Sequence, residues 1–155
     1  MARGDQWGVA VTNANVTMAL LRTEGPDQAR RHLGEFAADA VSLGDQELSI
    51  TIVELFACVL SELGAAAVVG RLMGAADAQR ERLGMPRPSL DTVRLDESLP
   101  KAMELLPPGE WEGAYAAGQG LTVDEAVTEA LGVYANSDLP TQGAHSGQER
   151  SPGTT

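Results

Sequence analysis

The chain contains very few cysteine, lysine and aromatic residues. Cys58 is the single cysteine, so an intrachain disulfide bond is impossible. Lys101 is the single lysine, and the aromatic residues are limited to two tryptophans, two tyrosines and two phenylalanines. Alanine, leucine, valine and glycine therefore supply most of the apolar surface. This mixture favours closely packed helices over a sandwich of aromatic and β-branched strands.

An apolar segment long enough for a membrane helix is also lacking. The most apolar stretch, residues 56–76, is interrupted by Glu62 and Arg71, and its apolar positions recur with the period of an amphipathic helix. The first ten residues, MARGDQWGVA, contain no apolar core typical of a signal peptide. We expect a soluble, cytoplasmic protein in which Cys58 is a buried, small apolar residue.

Basic residues are scarce relative to acidic ones. The chain has 11 basic and 22 acidic residues and a net charge of −11. From Ser89 to Ala135 the only basic residues are Arg94 and Lys101. The electrostatic field of such an acidic surface repels phosphate groups, so direct binding to nucleic acid is not expected. The acidic surface is interpreted either as a solvated face that keeps the protein soluble or as a docking face for a basic partner.

Apolar residues recur every three or four positions over most of the chain, which predicts amphipathic helices. In the segment 46–63 the predicted buried stripe consists of Leu48, Ile52, Leu55, Phe56, Val59 and Leu63. Glycines follow the first four helical segments, and Pro26 stands at the first turn of the second, where proline is well tolerated.

These signals predict seven helices. The first four are expected at about 6–23, 27–43, 46–63 and 65–83. A fifth, at about 90–106, should be kinked or restarted at Pro100, which has no backbone N–H to donate. A short helix carries Trp111 and Tyr115, and a last one begins near Val123.

The helix-ending glycines recur at a regular interval. LLRTEG, ending at Gly25, corresponds to VLSELG, ending at Gly64, and SLGD corresponds to RERLG in the same way, both at a shift of about 40 residues. Repeated helix pairs of this kind are typical of α-solenoids. We predict an all-α, right-handed α-solenoid of helical hairpins over residues 1–135. Residues 136–155 are polar and rich in proline, glycine and serine, and are predicted to be a disordered tail.

The stretch GLTVDEAVTEAL places two acidic residues at the start of a regular amphipathic pattern. Thr122 and Glu125 have the spacing of a capping box, in which each side chain accepts a hydrogen bond from the backbone of the other residue. Asp124 lies at the positive end of the helix dipole. A catalytic pair would need a third group with a tuned pKa, and the pattern offers none, so both acids are interpreted as structural.

No catalytic residue, cofactor site or metal site is predicted. The two histidines, His32 and His145, have no neighbours that suggest metal ligands or a nucleophile. Gly70 and Gly74 have helical spacing and lie within a helical segment. They therefore predict a close approach between two helices rather than a phosphate-binding loop.

Two segments, GRLMGAADAQRERLGMPRP and WEGAYAAGQGLTVDEAVTEAL, carry a resemblance to a known family. They resemble the C-terminal tetratricopeptide-like helical region of actinobacterial LuxR-type and ATPase-containing transcriptional regulators. The resemblance covers nearly all of residues 1–135, is strongest after Gly70, and implies a helical interaction region. The matching residues are Leu72, Gly74, Ala75, Ala76, Asp77, Arg80, Glu81, Arg82, Leu83, Gly84, Gly118, Leu121, Thr122, Glu125, Ala126 and Leu131.

The chain departs from this family in three respects. It contains no phosphate-binding loop, because its only lysine is Lys101 in LPKAM, and it shows no basic recognition helix. ATP hydrolysis and DNA binding are therefore not carried over from the resemblance. The interval of about 40 residues also exceeds the usual tetratricopeptide period of about 34, which puts the standard peptide groove in doubt.

The first predicted helix has apolar residues on two sides. The side predicted to face the core consists of Trp7, Ala10, Val11, Ala14, Met18 and Leu21. Val9, Val16 and Leu20 lie on nearly the opposite side. A helix that is apolar on two sides is normally packed on two sides, and a solenoid end without a polar cap needs a cover. We predict that these three residues form an interface with a second copy or with another protein.

Taken together, the sequence predicts a non-enzymatic, tetratricopeptide-like module that binds a protein partner and is associated with bacterial transcriptional regulation. Two alternatives are a small-molecule sensor with a pocket between its helices and a truncated relic of a larger regulator. An enzyme would require a converging acid–base pair. No cofactor, membrane or direct nucleic-acid partner is expected.

Overall fold

The computed structural model describes residues 3–138 of the chain, and burial is described for residues 4–133. Within this range the protein consists of seven α-helices without a β-strand, which confirms the predicted all-α class. The helices are α1 (Arg3–Thr23), α2 (Pro26–Ser42), α3 (Gln46–Glu62), α4 (Ala66–Leu83), α5 (Ser89–Met103), α6 (Glu110–Gly118) and α7 (Val123–Asp138).

Local sequence signals set the ends of the helices. The first four helices agree with their predicted bounds to within about three residues, which is near the usual uncertainty of helix ends. The four glycines that punctuate the pattern, Gly25, Gly44, Gly64 and Gly84, all have positive φ values. At the start of α3, the Asp45 side chain accepts a hydrogen bond of 2.8 Å from the backbone N–H of Leu48.

Pro100 lies inside α5, which is a single helix in the structure. The predicted restart at this residue is therefore wrong, and the alternative of a kink stays a prediction. Pro100 lies three residues before the end of α5, where only the carbonyl of Asp96 loses its helical donor. Asp96 is exposed, so water can replace that donor.

Helix α3 is the centre of the protein. Every residue from Leu48 to Ser61 except Thr51 is buried, and α3 contacts α1, α2, α4, α5 and α7. The prediction of a single buried stripe on this helix is therefore wrong. Its other sides are apolar as well, and a helix that is apolar on all sides packs on all sides. The additional buried residues include Ile50, Val53, Ala57 and Leu60.

The order of helix contacts is only partly that of a solenoid. In an open array of hairpins each helix contacts its nearest and next-nearest neighbours along the chain. Contacts of α3 with α1, α2, α4 and α5, and of α4 with α6, follow this order. Helix α7 departs from it, because α7 packs against α2, α3 and α4. The described residues thus form a bundle around α3, and the predicted right-handed solenoid is not confirmed.

Helices α4 and α6 cross at three glycines with almost no space between their backbones. A Cβ atom added to Gly74 would collide with the backbone carbonyl of Tyr115, and one added to Gly118 would collide with the backbone of Arg71. A Cβ on Gly70 would lie 2.9 Å from the Cβ of Ala114. The predicted helix approach at Gly70 and Gly74 is confirmed, with α6 as the second helix.

Helix α7 begins with a capping box and is joined to α4 by an ion pair. The predicted capping box is confirmed: Thr122 N–H donates to Glu125 at 2.9 Å, and Glu125 N–H donates to Thr122 Oγ1 at 3.0 Å. Arg71 on α4 donates two hydrogen bonds, of 2.8 and 2.7 Å, to Glu129. These bonds lower the pKa of Glu129. Because α7 continues to Asp138, it passes the predicted domain border at 135, and residues 139–155 of the predicted tail lie outside the described range.

The glycine crossing leads to a test with a matched control. Gly118→Ala should lower the free energy of unfolding by about 1–3 kcal/mol, because the new methyl group forces α4 and α6 apart. Gly113→Ala, in the same helix but with nothing within 4 Å of the added Cβ, should instead raise it by about 0.5–1 kcal/mol. Urea denaturation of both variants measures these changes. Equal effects of the two substitutions would contradict the crossing.

Candidate functional site

The predicted interface residues lie on α1, and two of them are well exposed. Val9 and Val16 are 48% and 37% exposed. Leu20 is half-buried and packs against the core, so the exposed apolar line consists of Val9 and Val16. Trp7 was predicted to face the core, but it is 47% exposed, so that prediction is wrong. Helix α1 therefore presents apolar side chains to solvent on two different sides.

The side of α1 that carries Val9 borders a cleft shared with α2. The cleft has a volume of about 350 Å³, and its apolar lining includes Val9, Phe36 and Leu43. Near it, the Nε2 atom of His32 lies within hydrogen-bond distance, 3.1 Å, of Oδ1 of Asn13, and the His32 ring lies 5.5 Å from that of Phe36. His32 is thus half-buried between the two helices, whereas His145 lies outside the described residues.

The side of α1 that carries Trp7 forms one wall of a larger groove. The groove has a volume of about 770 Å³ and lies between α1, the first turns of α3 and the start of α5. Trp7 on α1 and Leu90 on α5 both line it, and Leu90 is 57% exposed. Its walls therefore present large apolar side chains to water. The sequence analysis did not predict this groove, because its walls come from three segments far apart in the chain.

The polar lining of the groove is mostly acidic. Glu47 on α3 has a half-exposed side chain, and Asp91 on α5 is more deeply placed. Burial raises the pKa of Asp91, and the nearby Glu54 adds to this effect. Arg94 is the single basic residue of the lining, and its Nη1 atom lies 3.6 Å from Asp91. The groove consequently combines apolar walls with a negative rim.

A buried ionic network lies behind the groove. Arg80 donates two hydrogen bonds to Glu54, from Nε at 2.7 Å and from Nη2 at 3.0 Å, and both side chains are almost completely buried. Arg87 donates to Glu54 at 2.8 Å and also to Asp77. Tyr115 donates to the second oxygen of Asp77 at 2.7 Å. This network joins α3, α4, α6 and the connector between α4 and α5.

The same network determines where the groove wall begins. Nη1 of Arg80 lies 3.4 Å from the carbonyl oxygen of Met85 and 3.3 Å from that of Pro86. Arg80 therefore fixes the connector that leads into α5. Because Leu90 lies in the first turn of α5, the position of this wall depends on the buried Arg80 and Glu54.

Two further groups with shifted pKa values are weak nucleophiles at neutral pH. Burial raises the pKa of the Cys58 thiol to about 12, so the sulfur is protonated. Burial and the hydrogen bond to Asp77 raise the pKa of Tyr115 to about 12. Among residues 3–138 no group of three or more His, Cys, Asp or Glu side chains could hold a metal ion. None of the helices in that range is long and apolar enough to cross a membrane.

Comparisons of the chain with protein-family models, with curated proteins and with solved structures found no match. The residues that carry the resemblance to bacterial regulators have definite structural positions. Gly74 and Gly118 lie at the helix crossing, Asp77 and Arg80 lie in the ionic network, and Thr122 forms the capping box. These positions explain the need for such residues in this fold, and the family itself stays a prediction.

The buried network leads to a second stability test. Glu54→Gln should lower the free energy of unfolding by about 3–5 kcal/mol, because it leaves the buried Arg80 with only the half-exposed Glu47, 3.9 Å away, as a charged partner. The control is Glu62→Gln, which removes a carboxylate whose partner Lys101 is 57% exposed and should cost less than about 1 kcal/mol. Denaturant unfolding of both variants measures the difference. A cost for Glu54→Gln no larger than that of the control would contradict the role of the network.

Proposed function

We propose that the protein is a non-enzymatic helical interaction module and that α1 forms a contact between two copies of the chain. The observation that carries this proposal is the exposure of Val9 and Val16 on a side of α1 that the other helices leave open. Complete burial of a valine side chain contributes about 1.5 kcal/mol or more. Two copies would bury this pair twice, together with the adjoining cleft.

The distribution of charge supports a second copy as the occupant. Residues 3–42, which form α1 and α2, contain five acidic and four basic residues, although the whole chain has a net charge of −11. Nearly all of the net negative charge therefore lies elsewhere. Two strongly acidic molecules approach each other with the least repulsion through this almost neutral hairpin.

The proposal that this module is tetratricopeptide-like and associated with bacterial transcriptional regulation follows from the resemblance of its sequence to that family. A tetratricopeptide-like arrangement accords with the main contacts among α1 to α6, each of which joins a helix to its nearest or next-nearest neighbour along the chain. A module of this kind would modulate a bacterial transcriptional regulator by presenting a surface rather than by catalysis.

The groove between α1, α3 and α5 bears on the alternative of a small-molecule sensor. Its volume of about 770 Å³ is sufficient for a small ligand. Small-molecule sites, however, usually enclose most of the ligand surface. Trp7 and Leu90, which line opposite walls, are each about half exposed. The groove is therefore better suited to an elongated ligand that it encloses only in part, such as a segment of another protein.

The contact between copies is tested by the mass in solution. The wild-type chain should have about twice the mass of the 16.2 kDa chain in light scattering, and the double variant Val9→Glu, Val16→Glu should be a monomer. Arg22→Glu changes the net charge by the same two units at an exposed position about 120° or more around α1 from both valines, and it should leave the mass unchanged. A monomeric wild type, or a double variant with the wild-type mass, would contradict the proposal.

A further inference from the structure

The groove between α1, α3 and α5 differs from a second large depression on the surface. That depression has a similar volume, about 740 Å³, but its polar lining consists largely of glutamines, serine and threonine, with no exposed large apolar side chain. The groove has Trp7 on one wall and Leu90 on the other. Exposed large side chains that face each other across a depression are characteristic of binding sites.

The apolar surface continues beyond the groove along α5. Val93, one turn after Leu90, is 51% exposed. Leu90 and Val93 are three residues apart and thus lie side by side on the helix. An apolar strip therefore runs from Trp7 across the groove to the outer side of α5. Such a strip fits the apolar face of an amphipathic segment, whose anchors recur every three or four residues.

The charges around this strip favour a positively charged ligand. Glu47 and Asp91 line the groove, and the single basic lining residue, Arg94, is already close to Asp91. Asp45 contributes a further carboxylate at the start of α3. The whole chain, with its net charge of −11, also attracts cationic molecules over a longer range. An acidic ligand would meet repulsion at both distances.

We infer that the groove between α1, α3 and α5 binds a basic amphipathic segment of a partner protein, with apolar side chains against Trp7 and Leu90 and lysine or arginine side chains near Glu47 and Asp91. The inference rests on the proposed function, namely that the chain is an interaction module. It adds a second site, on the side of α1 away from Val9, and specifies the chemistry of the partner.

The probe is a fluorescein-labelled helical peptide of about 14 residues, with leucine at every third or fourth position and lysine at the others. The wild-type chain should bind it, and a peptide with glutamate in place of lysine should not bind. Affinity for the lysine peptide should fall several-fold as salt rises from about 50 to 300 mM, because exposed charges are then screened. Fluorescence anisotropy measures each affinity.

Variants of the chain locate the bound peptide. Trp7→Ala and Leu90→Ser should each weaken binding by about tenfold, as expected for central apolar anchors. Leu105→Ser is the control, because Leu105 is 61% exposed but lies close to Gly64, just past the other end of α3 and about 25 Å from the groove. In a Trp111→Phe background Trp7 is the only tryptophan, and its emission should shift to shorter wavelength on binding. Circular dichroism establishes that each variant remains folded.

Three results would overturn the inference: equal binding of the two peptides, equal weakening by Leu105→Ser, or no change in Trp7 emission on binding. Failure of the proposed function is recognised separately. A dimer sensitive to Val9 and Val16 without groove binding refutes the groove alone. If the wild-type chain is a monomer but binds the peptide in the groove, only the contact between copies is refuted. If it neither dimerises nor binds the peptide, both proposals are refuted.

Discussion

Burial of α3 on all sides is the constraint on which the rest of the structure depends. A helix with apolar residues around its whole circumference has to be covered by several others, and α1, α2, α4, α5 and α7 provide that cover. The burial of Glu54 in this helix requires cationic partners, which Arg80 and Arg87 supply. Because Arg80 also lies close to the carbonyls of the connector, the same requirement positions the start of α5 and one wall of the groove.

The sequence was sufficient to predict the helices but not all of their neighbours. Helix positions depend on local signals, such as apolar spacing and the glycines after each segment, and these were read correctly. The return of α7 to α2, α3 and α4 depends on contacts between distant segments, which periodicity does not record. In α3, Ile50, Val53 and Leu60 lie outside the predicted stripe, and their apolar side chains indicate burial on further sides of the helix.

The same contrast applies to the surface sites: features that lie within one helix could be predicted from the sequence, and features that depend on contacts between distant segments could not. The apolar line of Val9 and Val16 could be found from the spacing within one helix, and Gly70 and Gly74 predicted a helix crossing. The second helix of that crossing could not be identified from spacing alone. The spacing of Trp7 matches that of buried α1 residues and so predicts a core position, yet Trp7 is exposed and lines the groove. Glu54, the only charged residue between Leu48 and Ser61, is a further signal of a buried ion pair.

Hydrogen exchange of backbone amides tests the central arrangement most directly. If α7 closes a bundle around α3, amides in Ala126–Ala130 should exchange only with the global unfolding that exposes α3, and both helices should show the same free energy of opening. If the helices instead form an open array, α7 is its terminal element and opens independently. Protection in α7 well below that in α3 would therefore contradict the bundle around the central helix.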